Sequence, residues 1–165
     1  DTMDFHSPTT TDRDIQTANI LAAIADLDID TFAEEMFRIT SNQEKMSFSD
    51  MLNQDLKIYD LFSCKLSISQ VIVPSAKETR TDSREILAAL DRFAQKKRID
   101  LAVLVFTSIL ENGSVIYAGG SRAPWAAEAF PNADGEDHSF QENLLSRKQQ
   151  ILPALTGVIT EYIGG

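Results

Sequence analysis

Ser146-Arg147-Lys148 is the stretch of this chain whose residue types and spacing could do chemistry. Two adjacent cations precede the apolar run Ile151-Leu152-Pro153-Ala154-Leu155, which places them at the start of a predicted helix. There a guanidinium can fork onto phosphate oxygens, an ammonium adds a point charge, and unpaired backbone N–H groups face the same way. Cations at a helix N-terminus are electrostatically unfavourable unless an anion offsets them. Taken alone, the triplet is equally a solvated turn, so the residues define a candidate oxyanion site whose ligand is open.

Other candidates carry less. Leu56, Ile58, Phe62, Cys64, Leu66 and Ile68 share a parity and read as the half-buried face of one or two strands. Lys57 falls on the opposite parity and reads as a surface lysine. Gly119-Gly120-Ser121-Arg122 could cradle a phosphate, but it lacks the spacing of a P-loop or a dinucleotide fingerprint, and a turn with a cap is the favoured reading. Lys96-Lys97-Arg98 reads as a helix-end charge cluster. His6 and His138 are the only histidines, and neither has a spaced His/Cys partner for zinc. Asp134-Gly135-Glu136-Asp137 lacks the ligand spacing of an EF-hand loop. Cys64, the single cysteine, reads as core and cannot form an internal disulfide, which points to a reducing cytoplasm.

A net charge of −10, from 15 Lys+Arg against 25 Asp+Glu, argues against a nucleic-acid binder with a basic face. An anionic small molecule stays open, provided the attraction is local or metal ions share the charge. No apolar run approaches the roughly 20 residues of a membrane span, and no secretion signal is visible.

The elements that must position these residues are predicted in chain order. Asp1 to Thr10 reads as extended, as though cut from something longer. Thr11 with Asp14 makes a capping pair for a helix from Asp12 to about Leu27. Asp28 or Asp30 caps a second helix carrying Phe32, Met36 and Ile39 and ending near Thr40 to Gln43, and a short helix is expected around Ser49 to Asn53. Strand periodicity runs from Leu56 to Val73. Asp82 with Glu85 starts a helix through Ile86, Leu90, Phe93 and Ala94. Leu101 to Phe106 is expected as a central strand, Asn112-Gly113 as a hairpin turn, and Ser114 to Ala118 as the returning strand. A short helix comes after Pro124, a loop after Pro131, a strand spans His138 to Leu145, and a last helix runs to about Ile163. The expected architecture is a single α/β domain, a mixed β-sheet with helices on both faces and an N-terminal helical segment.

Asp1-Thr2 followed by Ser7-Pro8-Thr9-Thr10-Thr11 resembles the interdomain junction of family II, manganese-dependent inorganic pyrophosphatases of the DHH phosphoesterase superfamily. Ser146-Arg147-Lys148 with Gln150, Pro153 and Leu155 resembles their C-terminal Ser-Arg-Lys-Lys-Gln-x-x-Pro-x-Leu motif. Phe32 to Met36, Asp55-Leu56-Lys57 and Ile68-Ser69-Gln70-Val71 fall where that family has matching segments, so the similarity covers nearly the whole chain.

The resemblance implies residues 1–10 as a remnant of the junction and 11–165 as the C-terminal domain that closes the cleft over pyrophosphate. Arg147, Lys148 and Lys57 would contact phosphoryl oxygens, with Ser146 in the same motif. Asp1 falls at the last metal-binding aspartate of the N-terminal domain, whose Mn²⁺ (or Mg²⁺) cluster is otherwise absent. Pyrophosphate and the enzyme's own N-terminal domain are the implied partners. The full-length protein would be a homodimer and this piece a monomer that is inactive alone. Two departures stand out: Gln149 replaces the family's second lysine, and the Asp-His-His motif is missing. The alternatives are the equivalent domain of an exopolyphosphatase and a non-catalytic phosphate-sensing module.

Overall fold

A computed structural model of the chain describes residues 2–40, 46–77, 83–131 and 139–164. Helices α1 (Asp12–Ala25), α2 (Ile29–Thr40) and α3 (Phe48–Asn53) come first. The hairpin β1 (Lys57–Leu61) and β2 (Cys64–Ile72) leads into α4 (Ser83–Lys97), β3 (Leu101–Ser108), β4 (Gly113–Gly119), α5 (Pro124–Ala129) and β5 (Ser139–Glu142). A five-residue π turn, Arg147–Ile151, then runs into α6 (Leu152–Ile163).

The strands form one mixed sheet in the order β1-β2-β3-β4-β5. Only β2 and β3 are parallel, because α4 makes the long crossover that a parallel pair requires. The expected central strand is β3, buried along its whole length. Its alternation divides the core in two: Ala102, Leu104 and Phe106 join Ile86, Leu90 and Ala94 of α4, and Leu101, Val103 and Val105 join Ile151, Leu155 and Ile159 of the C-terminal helix. Each of the larger side chains among these stabilises the fold by about 1.5–3 kcal/mol on burial. Helices on both faces of a mixed sheet are what the sequence implied.

Local signals explain the ends of several elements. Thr11 and Asp14 form the expected capping box, and the Asp28 carboxylate accepts from the Thr31 amide at 2.9 Å to start α2. Ser47 and Asp50 make a second capping box for α3. Asp82, expected to cap α4, lies outside the described residues.

Four expectations need correction. The described residues before Thr10 are not extended but form turns, with Met3, Asp4 and Phe5 left-handed. Phe62 and Ser63 form a two-residue turn with Phe62 in the left-handed region, and Leu61 pairs with Cys64. That turn shifts the parity. Tyr59 and Leu61, not Ile58, pack towards the core, and Ile58 is 45 % exposed. Asn112-Gly113 is not a two-residue tip, since Gly113 already pairs with Ser108 and the loop is Ile109 to Asn112. The strand expected to reach Leu145 stops at Glu142, where Asn143 turns left-handed at φ 59°.

The N-terminal helices stand apart from this packing. No residue of α1 is buried, and Ile20, Leu21, Ile24, Phe32 and Ile39 are each more than half exposed. Among the described residues no helix is long and apolar enough to cross a membrane.

Candidate functional site

The segment Asn143 to Ser146 carries the basic triplet and is held almost entirely by side chains from elsewhere. Gln70 of β2, buried under the sheet, donates from Nε2 to the Leu145 carbonyl at 2.9 Å and to the Thr107 hydroxyl at 2.9 Å. Thr107 shares a hydrogen bond with Ser114, which donates to the Leu144 carbonyl at 2.6 Å. Gln150 closes the segment on itself. Its Oε1 accepts from the Leu145 and Ser146 amides at 3.0 and 2.8 Å, and its Nε2 donates to the Asn143 carbonyl at 2.7 Å. Buried polar groups are costly unless paired, so this satisfied network fixes the segment in one place.

Ser146 caps the turn that comes next, accepting from the Gln149 amide at 3.2 Å, while its carbonyl accepts from both Gln150 and Ile151. The bond to Ile151 spans five residues, which widens the first turn into a π turn, a geometry frequent at functional sites. Arg147 leaves this turn towards the opposite end of the motif set. Its Nη1 lies 2.8 Å from Oδ2 of Asp55 and also donates to the Asp55 carbonyl, and its Nη2 donates to Oδ1 at 3.2 Å. The Arg147 side chain is 15 % exposed, against 51 % for Asp55.

Asp55 is two residues before Lys57, so their Cα atoms are no more than about 7 Å apart. In register, Lys57 pairs with Ile68 and shares a sheet face with Tyr59 and Leu66. That is the face covered by Ile151, Leu155 and Ile159. Lys57 therefore does not point away from the core face, as the sequence parity suggested. It stands at the margin of the face that α6 covers, and its head is exposed. Lys148, also exposed, sits next to Arg147 in the π turn. Ser146, Arg147, Lys148 and the Asp55–Lys57 segment thus converge, although 92 residues separate Asp55 from Arg147. Sequence reasoning found the basic residues and missed the Asp55 contact, for which a carboxylate next to a strand lysine is no signal by itself.

The other candidates resolve as structure. Gly119 packs so tightly on α4 that a Cβ there would lie 2.6 Å from Cβ of Leu90. Gly120, at φ +98°, donates its amide to Asp91 Oδ1 at 2.8 Å, and the Arg122 amide donates to the Asp100 carbonyl at 3.0 Å. Two of the amides a phosphate would need are thus occupied, and this loop is a turn. Arg122 lies over the Trp125 ring, 4.4 Å from its centroid. Cys64 is buried, and burial pushes its thiol up against the lowering effect of nearby Arg122. Lys96 and Lys97 end α4 as a charge cluster. A cleft of about 660 Å³ beside Gln54 is lined by Asp4, Phe5, Phe32, Met36 and Ile72. Burial raises the Asp4 carboxyl there, with His6 opposing the effect and Asp30 adding to it.

Asp1, His138 and the Asp134 to Asp137 cluster lie outside the described residues. Among the described residues no group of three or more His, Cys, Asp or Glu could hold a metal ion, so these side chains do not build a metal centre.

Residues 34–158 match the DHHA2 domain, which places the chain in that family. Its relatives give the family an activity. The manganese-dependent inorganic pyrophosphatase of Bacillus subtilis (strain 168) is 31 % identical over 161 residues, 98 % of this chain and 52 % of that protein. The cobalt-dependent inorganic pyrophosphatase of Clostridium perfringens is 31 % identical over 99 % of this chain and 30 % of its own length. A solved Methanococcus jannaschii structure, assigned to the family II inorganic pyrophosphatases, superposes with a TM-score of 0.77 at 30 % identity. It covers 99 % of this chain and 52 % of its own. The chain spans about half the length, or less, of the relatives it matches.

Proposed function

We propose that this chain is the substrate-closing part of an inorganic pyrophosphatase that hydrolyses pyrophosphate to two phosphates. The observation that carries the reading is the convergence of Ser146-Arg147-Lys148 with the Asp55-Leu56-Lys57 segment on one margin of the sheet. Arg147 is paired with the Asp55 carboxylate, and the neighbouring Lys148 and Lys57 are exposed, two further cations on a chain of net charge −10. Phosphoanhydride cleavage develops negative charge on the bridging and leaving oxygens, and fixed cations stabilise that charge. In this reading Arg147 and Lys148 grip phosphoryl oxygens from the π turn, Lys57 contacts them from β1, and Ser146 holds the turn. Manganese or magnesium is held by the half of the enzyme that this chain does not span, with Asp1 as the one ligand contributed here.

That other half is also the proposed partner. Residues 1–10 are the junction and 11–165 the closing domain, with the exposed apolar faces of α1 and α2 turned towards the missing half. A hydrophobic surface of that kind is a mark of an interface. The whole enzyme is a homodimer through the other half, this part alone is a monomer, and the buried free thiol of Cys64 suits a reducing cytoplasm.

The test is kinetic. In the intact enzyme, Arg147→Ala and Lys57→Ala should each lower kcat/KM for pyrophosphate by about 10²-fold, the usual loss when one charge-stabilising donor is removed, with bound metal unchanged. Unaltered turnover in both variants would overturn the site. Faster release of phosphate from long-chain polyphosphate than from pyrophosphate would make the enzyme an exopolyphosphatase instead.

A further inference from the structure

We propose that Asp55 is a positioning residue, which fixes one edge of the Arg147 guanidinium so that its other edge is presented to a phosphoryl group. The inference rests on the reading of Arg147 as a substrate contact. A guanidinium has five N–H donors in a rigid plane. Asp55 engages the two terminal nitrogens: Nη1 donates to its carbonyl and lies 2.8 Å from Oδ2, and Nη2 donates to Oδ1. Nε and the second hydrogen of Nη2 have no acceptor among the described residues. They form the adjacent edge, whose two parallel N–H groups match a pair of phosphate oxygens.

Two features argue that the contact serves orientation rather than stability. The Asp55 side chain is half exposed, and ion pairs in that setting contribute little to folding. Both ends are also fixed independently of the pair. Arg147 leaves a segment anchored by Gln70, Ser114 and Gln150, and Asp55 sits at φ 43° between α3 and β1. The pair joins two rigid pieces, and what it determines is the rotation of the guanidinium. A neutral residue at position 55 would keep the carbonyl contact but lose the charged one, so the open edge would be held less firmly in its orientation.

The experiment is a double-mutant cycle in the intact enzyme with pyrophosphate as substrate. Asp55→Asn removes the charge while keeping the shape, and Asn tolerates the left-handed backbone as Asp does. We expect Asp55→Asn to lower kcat/KM about tenfold, the scale of losing a charge-assisted contact, with the thermal midpoint unmoved. In the Arg147→Ala background the same change should alter kcat/KM less than about twofold, since nothing remains to be oriented. A rise or no change in Asp55→Asn, while Arg147→Ala alone is impaired, would overturn the positioning role. An equal tenfold loss in both backgrounds would make Asp55 a merely structural residue, which also overturns it. A silent Arg147→Ala would instead overturn the site on which the inference rests.

Discussion

Two loops of this protein look alike on paper, Gly119-Gly120-Ser121-Arg122 and Ser146-Arg147-Lys148. Each brings a basic side chain and small residues to the start of a helix. The first has the glycines associated with phosphate cradles, yet its amides are bonded to Asp91 and Asp100 and its arginine is laid over Trp125. The second has no glycine, but its cations emerge from a π turn and one guanidinium edge stays open. Among the described residues Nη1 of Arg122 is also without a hydrogen-bond partner but is buried, whereas Lys148 of the second loop is exposed, so access rather than composition separates the two.

The intact enzyme should distinguish the two arginines most strongly. Arg147→Ala should cost about 10²-fold in pyrophosphate turnover, whereas Arg122→Ala should leave kcat/KM within about threefold. Comparable losses in both would erase the distinction. Gly119→Ala should act on stability instead. A Cβ 2.6 Å from Cβ of Leu90 and 3.0 Å from the Asp91 amide nitrogen forces backbone or helix to move. Overpacking of this kind costs about 2–3 kcal/mol, a fall in Tm of roughly 5–10 °C read by calorimetry. An unshifted Tm would show that the loop is looser than its contacts imply.

Removing Arg122 should lower stability by about 1 kcal/mol through its lost contact with Trp125, measurable as a small shift in urea midpoint. A further effect concerns the thiol near the same loop. Burial disfavours the Cys64 thiolate and raises its pKa, so the reactive form becomes scarcer in the folded protein at any pH below that raised value. Alkylation by iodoacetamide at pH 8 should be at least about tenfold slower in the native protein than in urea. Equal rates would mean that this side of the sheet opens readily.

How much of this could be read from the residues depends on how far apart the interacting groups lie. Helices with local caps were legible: Thr11 with Asp14 marks α1, and the apolar spacing of Ile86, Leu90 and Ala94 marks α4. The unbroken apolar run at Leu101 identified the central strand. The face of β1 was not legible, because the two-residue turn at Phe62-Ser63 shifts the parity between the strands and puts odd positions of β1 on the face of even positions of β2. Phe62 adopts a left-handed conformation that a bulky residue does not advertise. The basic triplet could be found by type, but the π turn that aims it depends on where Gln70, Ser114 and Gln150 place the preceding segment. Asp55 became part of the site only when β1 and the start of the last helix were brought together across most of the chain.

Strand β1 also has to resist pairing with other chains. Among the described strands it is an edge, with β2 on one side only. Open edges invite pairing with another chain, and short strands carrying charged side chains discourage it. At five residues, with Lys57 and Asp60 along it, β1 has both protections. The lysine that faces substrate in the proposed enzyme therefore also acts as a guard against self-association. Replacing it by a neutral residue should impair solubility as well as turnover, so the kinetics of such a variant need to be read on material shown to be free of aggregates.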